Sequence, residues 1–137
     1  MNVPRPSVGL AVLLTTLVAL GPLSTDLYLP SLPTLARVFA SDVASVQLTL
    51  SVFLAGCACG QIVYGPLSDR YGRRPVLLGG LLMFCVGTLG CVFAHSIDRL
   101  ILARFVQALG ACAGPVIGRA VVRDLWGASE SARVIAY

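Results

Sequence analysis

The sequence has no lysine, one histidine, one tryptophan, and charge on only 12% of its 137 residues. An ordinary soluble domain is about a quarter charged. So little polarity cannot cover the surface of a soluble core of this size. Composition therefore argues against a soluble enzyme and against a nucleic-acid-binding domain. With 57% hydrophobic residues and a mean hydropathy of +0.88, disorder is excluded as well. Five cysteines are present (Cys57, Cys59, Cys85, Cys91 and Cys112), but no pair has zinc-site or redox C-x-x-C spacing. They read as small packing residues within apolar runs. Nothing in the pattern points to a metal, a nucleotide or another cofactor.

What is abundant is apolar length. A membrane-spanning helix needs about 20 apolar residues. Four runs qualify, at about 8–29, 45–64, 75–93 and 100–118. Pro30 and Pro33 disfavour simple continuation of the first helix past Leu29, because a residue before proline avoids the α region. Pro75 suits the first turn of the third helix, and Ser96 can cap the fourth. The first run is too long for the apolar region of a cleaved secretory signal, and three more spans follow it.

All ten cationic side chains are arginines, and they are unevenly placed. Arg5, Arg70, Arg73, Arg74, Arg119, Arg123 and Arg133 fall on one side of the spans, Arg37 and Arg99 on the other, and Arg104 lies inside a span. The positive-inside rule places the larger group, and with it the N-terminus, in the cytoplasm. Residues 119–137 read as a cytoplasmic loop entering the start of a fifth helix, which marks the chain as an N-terminal fragment of a longer membrane protein.

The segment after the second span reads Gly65-Pro66-Leu67-Ser68-Asp69-Arg70-Tyr71-Gly72-Arg73-Arg74-Pro75. Gly65 and Gly72 suit tight turns with positive φ. A topology signal needs only the arginines, and does not account for Asp69 among them. This segment resembles the major facilitator superfamily signature G-x-L-x-D-R-x-G-R-R between its second and third helices, with every fixed position present. Asp26-Leu27-Tyr28-Leu29-Pro30 is similar to the drug:proton antiporter pattern that ends the first helix. Arg104-Phe105-Val106-Gln107-Ala108-Leu109-Gly110 resembles the R-x-x-Q-G-x-G signature of the fourth, departing from it at Ala108. Taken together, the chain resembles the Bcr/CflA group of multidrug exporters. The resemblance implies an all-α membrane fold: four helices of the N-terminal six-helix bundle of a twelve-helix carrier. It also implies export of drug-like molecules in exchange for protons across the bacterial inner membrane. The partners would be lipid, substrate, protons and the remaining helices of the same protein. The resemblance further implies a cytoplasmic latch of Asp69 and Arg73 with an acid at the inner end of the fourth helix, where Asp124 stands.

A charge within a membrane usually faces a cavity or a partner. Asp26 and Arg104 lie at similar depth on antiparallel helices, so they either pair or face an aqueous cavity, unless each snorkels to the interface. Tyr28 and Gln107 flank them as further residues of a substrate and proton pathway. Asp26, the one acid within a span of this sequence, is the candidate coupling group, because desolvation raises a carboxyl pKa. Gly110, Gly114 and Gly118 form a small-residue ridge for helix packing, and Gly56 and Gly60 a shorter one. The run from Gly110 to Gly118 also resembles the glycine-proline motif of superfamily antiporters. That motif belongs to the fifth helix, and this run lies on the fourth. Two other readings stand beside the carrier: a complete four-helix protein acting as an assembly or regulatory subunit, and a small dimeric exporter. The latter usually holds its acid near the middle of the first helix, whereas Asp26 lies near the end.

Overall fold

A computed structural model describes the backbone of residues 8–135, with side-chain surroundings for residue 9 and residues 12–124. Six α-helices follow one another: α1 (Val8–Tyr28), α2 (Leu32–Val38), α3 (Val43–Tyr71), α4 (Arg73–Val92), α5 (Ile97–Ala111) and α6 (Ala113–Ile135), with a 3-10 turn at Leu29–Ser31. No strand occurs among the described residues. Four stretches are long and apolar enough to cross a membrane: Val12–Val38, Val43–Tyr71, Arg73–Val92 and Ile97–Asp124.

α1 ends in the 3-10 turn because Pro30 and Pro33 remove two backbone donors in close succession. The chain does not leave the helical path, however, and α2 carries on to Val38. The fourth span is two helices in line. Pro115 has no N–H to give the Ala111 carbonyl, and the helix is interrupted at Cys112. Bonds from Cys112 N–H to Ala108 O (3.3 Å) and from Val116 N–H to Cys112 O (3.2 Å) carry the chain across the break. Ser96 caps α5, its Oγ accepting from Arg99 N–H at 3.4 Å.

Two expected loops are helix. The glycine-bracketed segment after the second span belongs to α3 as far as Tyr71, and one residue, Gly72, separates α3 from α4. Gly72 adopts φ +90° and ψ 157°, a conformation essentially confined to glycine, and its N–H closes α3 on Ser68 O at 3.1 Å. Gly65, expected at a turn, lies inside α3 instead. The helix absorbs Pro66 and still extends 29 residues, about 43 Å, so it overreaches a hydrocarbon core of about 30 Å. The charged segment therefore stands on a rigid helical extension. Residues 119–135, expected as a loop leading to another helix, continue α6.

The fourth span is the centre of the bundle and is mostly buried, whereas the first is almost wholly exposed. α5 packs most closely on α4 and α3. Glycines mark several of the closest crossings, as expected where lipid removes the hydrophobic drive between helices. A Cβ on Gly56 would press on Ala108 and Phe105, and one on Gly60 on Cys112. One on Gly110 would meet the α4 backbone at Phe84 and Gly80, and one on Gly114 the α1 backbone at Leu17. Gly118 has room by comparison, its nearest neighbour being Val18 at 3.6 Å. On α4, Gly80 faces Ala113 and Gly87 faces the Gln107 backbone. The hydrophobic core forms around them, with Phe53, Ala108 and Ala111 in one cluster and Tyr64, Val76, Cys112, Ala113 and Ile117 in another.

Candidate functional site: a buried arginine and a bridged pair of carboxylates

Arg104 projects from the middle of α5 into the bundle and is 5% exposed. Gln107, one turn further along the same face, accepts from Arg104 Nη1 through Oε1 at 2.9 Å. The same Nη1 reaches Ser24 Oγ on α1 at 3.4 Å. The guanidinium carbon lies 3.4 Å from the centre of the Tyr28 ring and 5.4 Å from that of Phe53. The cation is thus held between two aromatic faces, from α1 and α3. Gln107 in turn donates from Nε2 to Thr88 Oγ1 on α4 at 2.9 Å, and Thr88 donates to Phe84 O at 2.8 Å. Tyr28 Oη lies 2.6 Å from Thr49 Oγ1 on α3. Residues of α1, α3 and α5 therefore meet at the guanidinium, and α4 joins through Gln107. The glycine at position 87 allows it, because α4 can approach α5 at Gln107 only without a side chain there.

No carboxylate forms an ion pair with Arg104 among the described residues. Asp26 is exposed, and helical phase explains why: it is two residues, or about 200°, from Tyr28, while Ser24 and Tyr28 share the face toward Arg104. Of the two arrangements open to Asp26 and Arg104 in the sequence, direct pairing is absent. Arg104 Nε is buried and has no hydrogen-bond partner. A buried cation within a membrane span costs several kcal/mol unless it finds a partner, and among the described residues the partners of Arg104 are neutral.

The second cluster stands on the extension of α3. Arg73 Nη2 lies 3.0 Å from Asp69 Oδ1 and 3.1 Å from Asp124 Oδ2, so one guanidinium bridges carboxylates from α3 and α6. Arg73 Nη1 donates to Ser68 Oγ at 2.7 Å, and Ser68, itself buried, donates to Gly65 O at 2.9 Å. Both carboxylates are more than half exposed, at 61% and 52%, so each pair contributes about 1 kcal/mol or less. Beside them a cleft of about 420 Å³ is bordered by Gln61, Gly65, Asp69, Arg73, Arg119 and Arg123. Arg70 lies 5.5 Å from the Tyr71 ring, and Arg74 is exposed. Among the described residues, no three His, Cys, Asp or Glu side chains gather as a metal site would require.

A family model, "Major Facilitator Superfamily", matches residues 13–137. The chain belongs to the major facilitator superfamily. It is therefore a multi-pass membrane protein of a family of transporters, not enzymes. Its superfamily relatives include an uncharacterized MFS-type transporter, YdgK, of Bacillus subtilis (strain 168), 41% identical over 126 residues, which are 92% of this chain and 31% of that protein. A chloramphenicol resistance protein of Pseudomonas aeruginosa is 40% identical over 116 residues, 85% of this chain and 28% of the relative. Multidrug resistance protein D of Escherichia coli (strain K12) is 37% identical over 120 residues, 88% and 30% respectively. The chain thus spans about three tenths of the length of these relatives.

Arg104, Gln107 and Tyr28, each named from a motif, meet in one cage, and Asp69, Arg73 and Asp124 meet in another. Asp26 joins neither. Ser24, Thr49, Phe53, Thr88, Gly87 and Ser68 complete the two sites without having been singled out in the sequence. A hydroxyl in an apolar helix can satisfy itself on its own backbone, so a lone serine or threonine announces nothing.

Proposed function

We propose that this chain forms the first part of a twelve-helix secondary carrier that exports drug-like molecules across the bacterial inner membrane in exchange for protons, with its N-terminus in the cytoplasm. The observation that carries the proposal is the buried guanidinium of Arg104, which has no carboxylate partner among the described residues. Packing alone has no use for a cation there, and an uncharged side chain would fill the space at lower cost. In a carrier, such a charge is available to an acceptor group on a substrate, or to an acid that gains and loses a proton. Gln107 and Tyr28 hold it ready. Asp26 is the candidate coupling acid. Its place on an exposed face of α1 lets its surroundings change as further helices close and open against it.

The charged cluster acts as the gate in this reading. Arg73 with Asp69 and Asp124 forms a latch, supported by Arg70, Arg74 and the glycines at 65 and 72. Contacts of this kind exist in one of two rocked states, and so bias the equilibrium between them by their differential energy. Two relatives, a chloramphenicol resistance protein and a multidrug resistance protein, support a drug-like substrate class.

The test is drug accumulation in a hypersensitive bacterium expressing the complete reading frame. Expression should lower steady-state chloramphenicol in energised cells, and collapsing the proton gradient should remove the difference. Equal accumulation with and without expression, across chloramphenicol and a panel of cationic dyes, would refute the proposed function.

A further inference from the structure

Thr49 is fully buried on α3, carries no charge, and lies outside all three motif segments. Its hydroxyl oxygen is 2.6 Å from Val46 O and 2.6 Å from Tyr28 Oη. A carbonyl oxygen only accepts, and a threonine has one hydroxyl proton. That proton goes to Val46, so the phenol must donate to Thr49. The direction matters to the neighbouring cation. A phenol donating its proton gains electron density on oxygen and ring, and a richer ring attracts a cation over its face more strongly. Tyr28 is the final residue of α1, where the chain passes into the 3-10 turn, and Thr49 is the hydrogen-bond partner that ties its hydroxyl to another helix. On the cation's side, the hydrogen bonds to Ser24 and Gln107 both use Nη1, and Nε has none. The two bonds tether one corner of the guanidinium, and the Tyr28 ring, 3.4 Å away, fixes its plane.

We infer that Thr49 is a positioning residue for Arg104: it accepts the Tyr28 proton, sets the ring, and through the ring holds the guanidinium inside the bundle. Without it the phenol has no buried acceptor on α3, the ring turns away, and the long arginine side chain extends toward the nearer membrane surface. The inference deepens the proposed transport role of Arg104. The position of the guanidinium can nevertheless be measured without transport.

Phenylglyoxal labelling of guanidinium groups in native membranes, quantified by mass spectrometry for the peptide carrying Arg104, reads that position. The variants are Thr49→Val, Thr49→Ser, Tyr28→Phe and the Thr49→Val/Tyr28→Phe double, with Arg73 as an internal reference. Thr49→Val keeps the side-chain volume and removes the acceptor. It should raise labelling of Arg104 several-fold, up to roughly thirtyfold if the whole of a desolvated cation–π contact is lost. Thr49→Ser should restore the wild-type rate. Tyr28→Phe should raise the rate too, and the double variant should exceed neither single by more than error, because Thr49 acts only through the phenol. A wild-type rate in Thr49→Val, failure of serine to rescue, or multiplying effects in the double would each overturn the inference. So would a parallel rise at Arg73, which marks general loosening. Drug export measured on the same membranes separates the two readings. Raised labelling with normal export supports the positioning role and removes Arg104 from the transport step. Lost export with unchanged labelling defeats the positioning role.

Discussion

Gly87→Ala adds one methyl group, yet it should loosen the Arg104 cage from the opposite side of the bundle. A Cβ at position 87 falls on the N, Cα and Cβ of Gln107. Those atoms belong to α5 and cannot rotate away as the tip of a side chain would. Restoring ordinary carbon–carbon contact at about 3.5 Å requires α4 to retreat by about 1 Å. Thr88 is the next residue on α4, and its bond from Gln107 Nε2 is 2.9 Å long, so the same retreat carries it beyond hydrogen-bonding distance. Overpacking costs about 1–3 kcal/mol, and the orphaned amide about 1–3 kcal/mol more. The gain in helix propensity from glycine to alanine returns about 1 kcal/mol. The net loss is about 1–5 kcal/mol. Gly79→Ala is the matched control, on the same helix, because nothing lies within 4 Å of a Cβ there. Thermal unfolding of the purified full-length protein in detergent, followed by a thiol-reactive dye on its native cysteines, measures both. Gly87→Ala should unfold several degrees below wild type, with Gly79→Ala at or above it. Gly87→Ala as stable as Gly79→Ala would refute the account of how α4 and α5 meet at Gln107.

The remaining predictions concern the gate and the topology. Asp69→Asn and Arg73→Ala should each shift the balance of the two carrier states by a few-fold, as expected from exposed pairs worth about 1 kcal/mol, without lowering membrane levels; cysteine accessibility in the cytoplasmic cavity reads the shift, and unchanged accessibility together with unchanged transport would leave the segment as a topology signal. Asp124→Asn should produce a shift of the same sign, because it removes the other carboxylate from Arg73; a shift of opposite sign would break the latch. Tyr71→Cys in a cysteine-free background tests orientation, since Tyr71 is exposed at the end of α3. An impermeant thiol reagent should label it only from the cytoplasmic face, and labelling from outside would reverse the topology.

The spans were legible in the sequence because apolar length is a bulk property, insensitive to where a turn begins. Their ends were less so. Gly65, Pro66 and Gly72 are all residues of turns, yet only Gly72 breaks the helix, and the preference for a loop gave way to the stiffness of α3 at Pro66. The Cys112 break follows from Pro115, which was visible as a residue but not as the point where one span becomes two helices. Within the sites, the charged members stood out because charge is rare in this chain. Their neutral supports did not. Thr49, Thr88 and Ser24 are common residue types, and their roles arise from which helix faces which, something one strand of text does not contain. Gly87 was hidden for the same reason: its significance is the backbone of Gln107, twenty residues away in the chain.

One measurement reaches the role of Arg104 directly. Full-length protein in proteoliposomes, given an imposed proton gradient, should move chloramphenicol against its concentration. Arg104→Ala, reconstituted at equal density with its unfolding temperature determined alongside, should retain the fold and lose gradient-driven movement. Arg104→Lys should fail as well, because an ammonium cannot stack on Tyr28 as the planar guanidinium does. Gradient-driven transport by Arg104→Ala at the wild-type rate would contradict the account and leave the buried cation without a function.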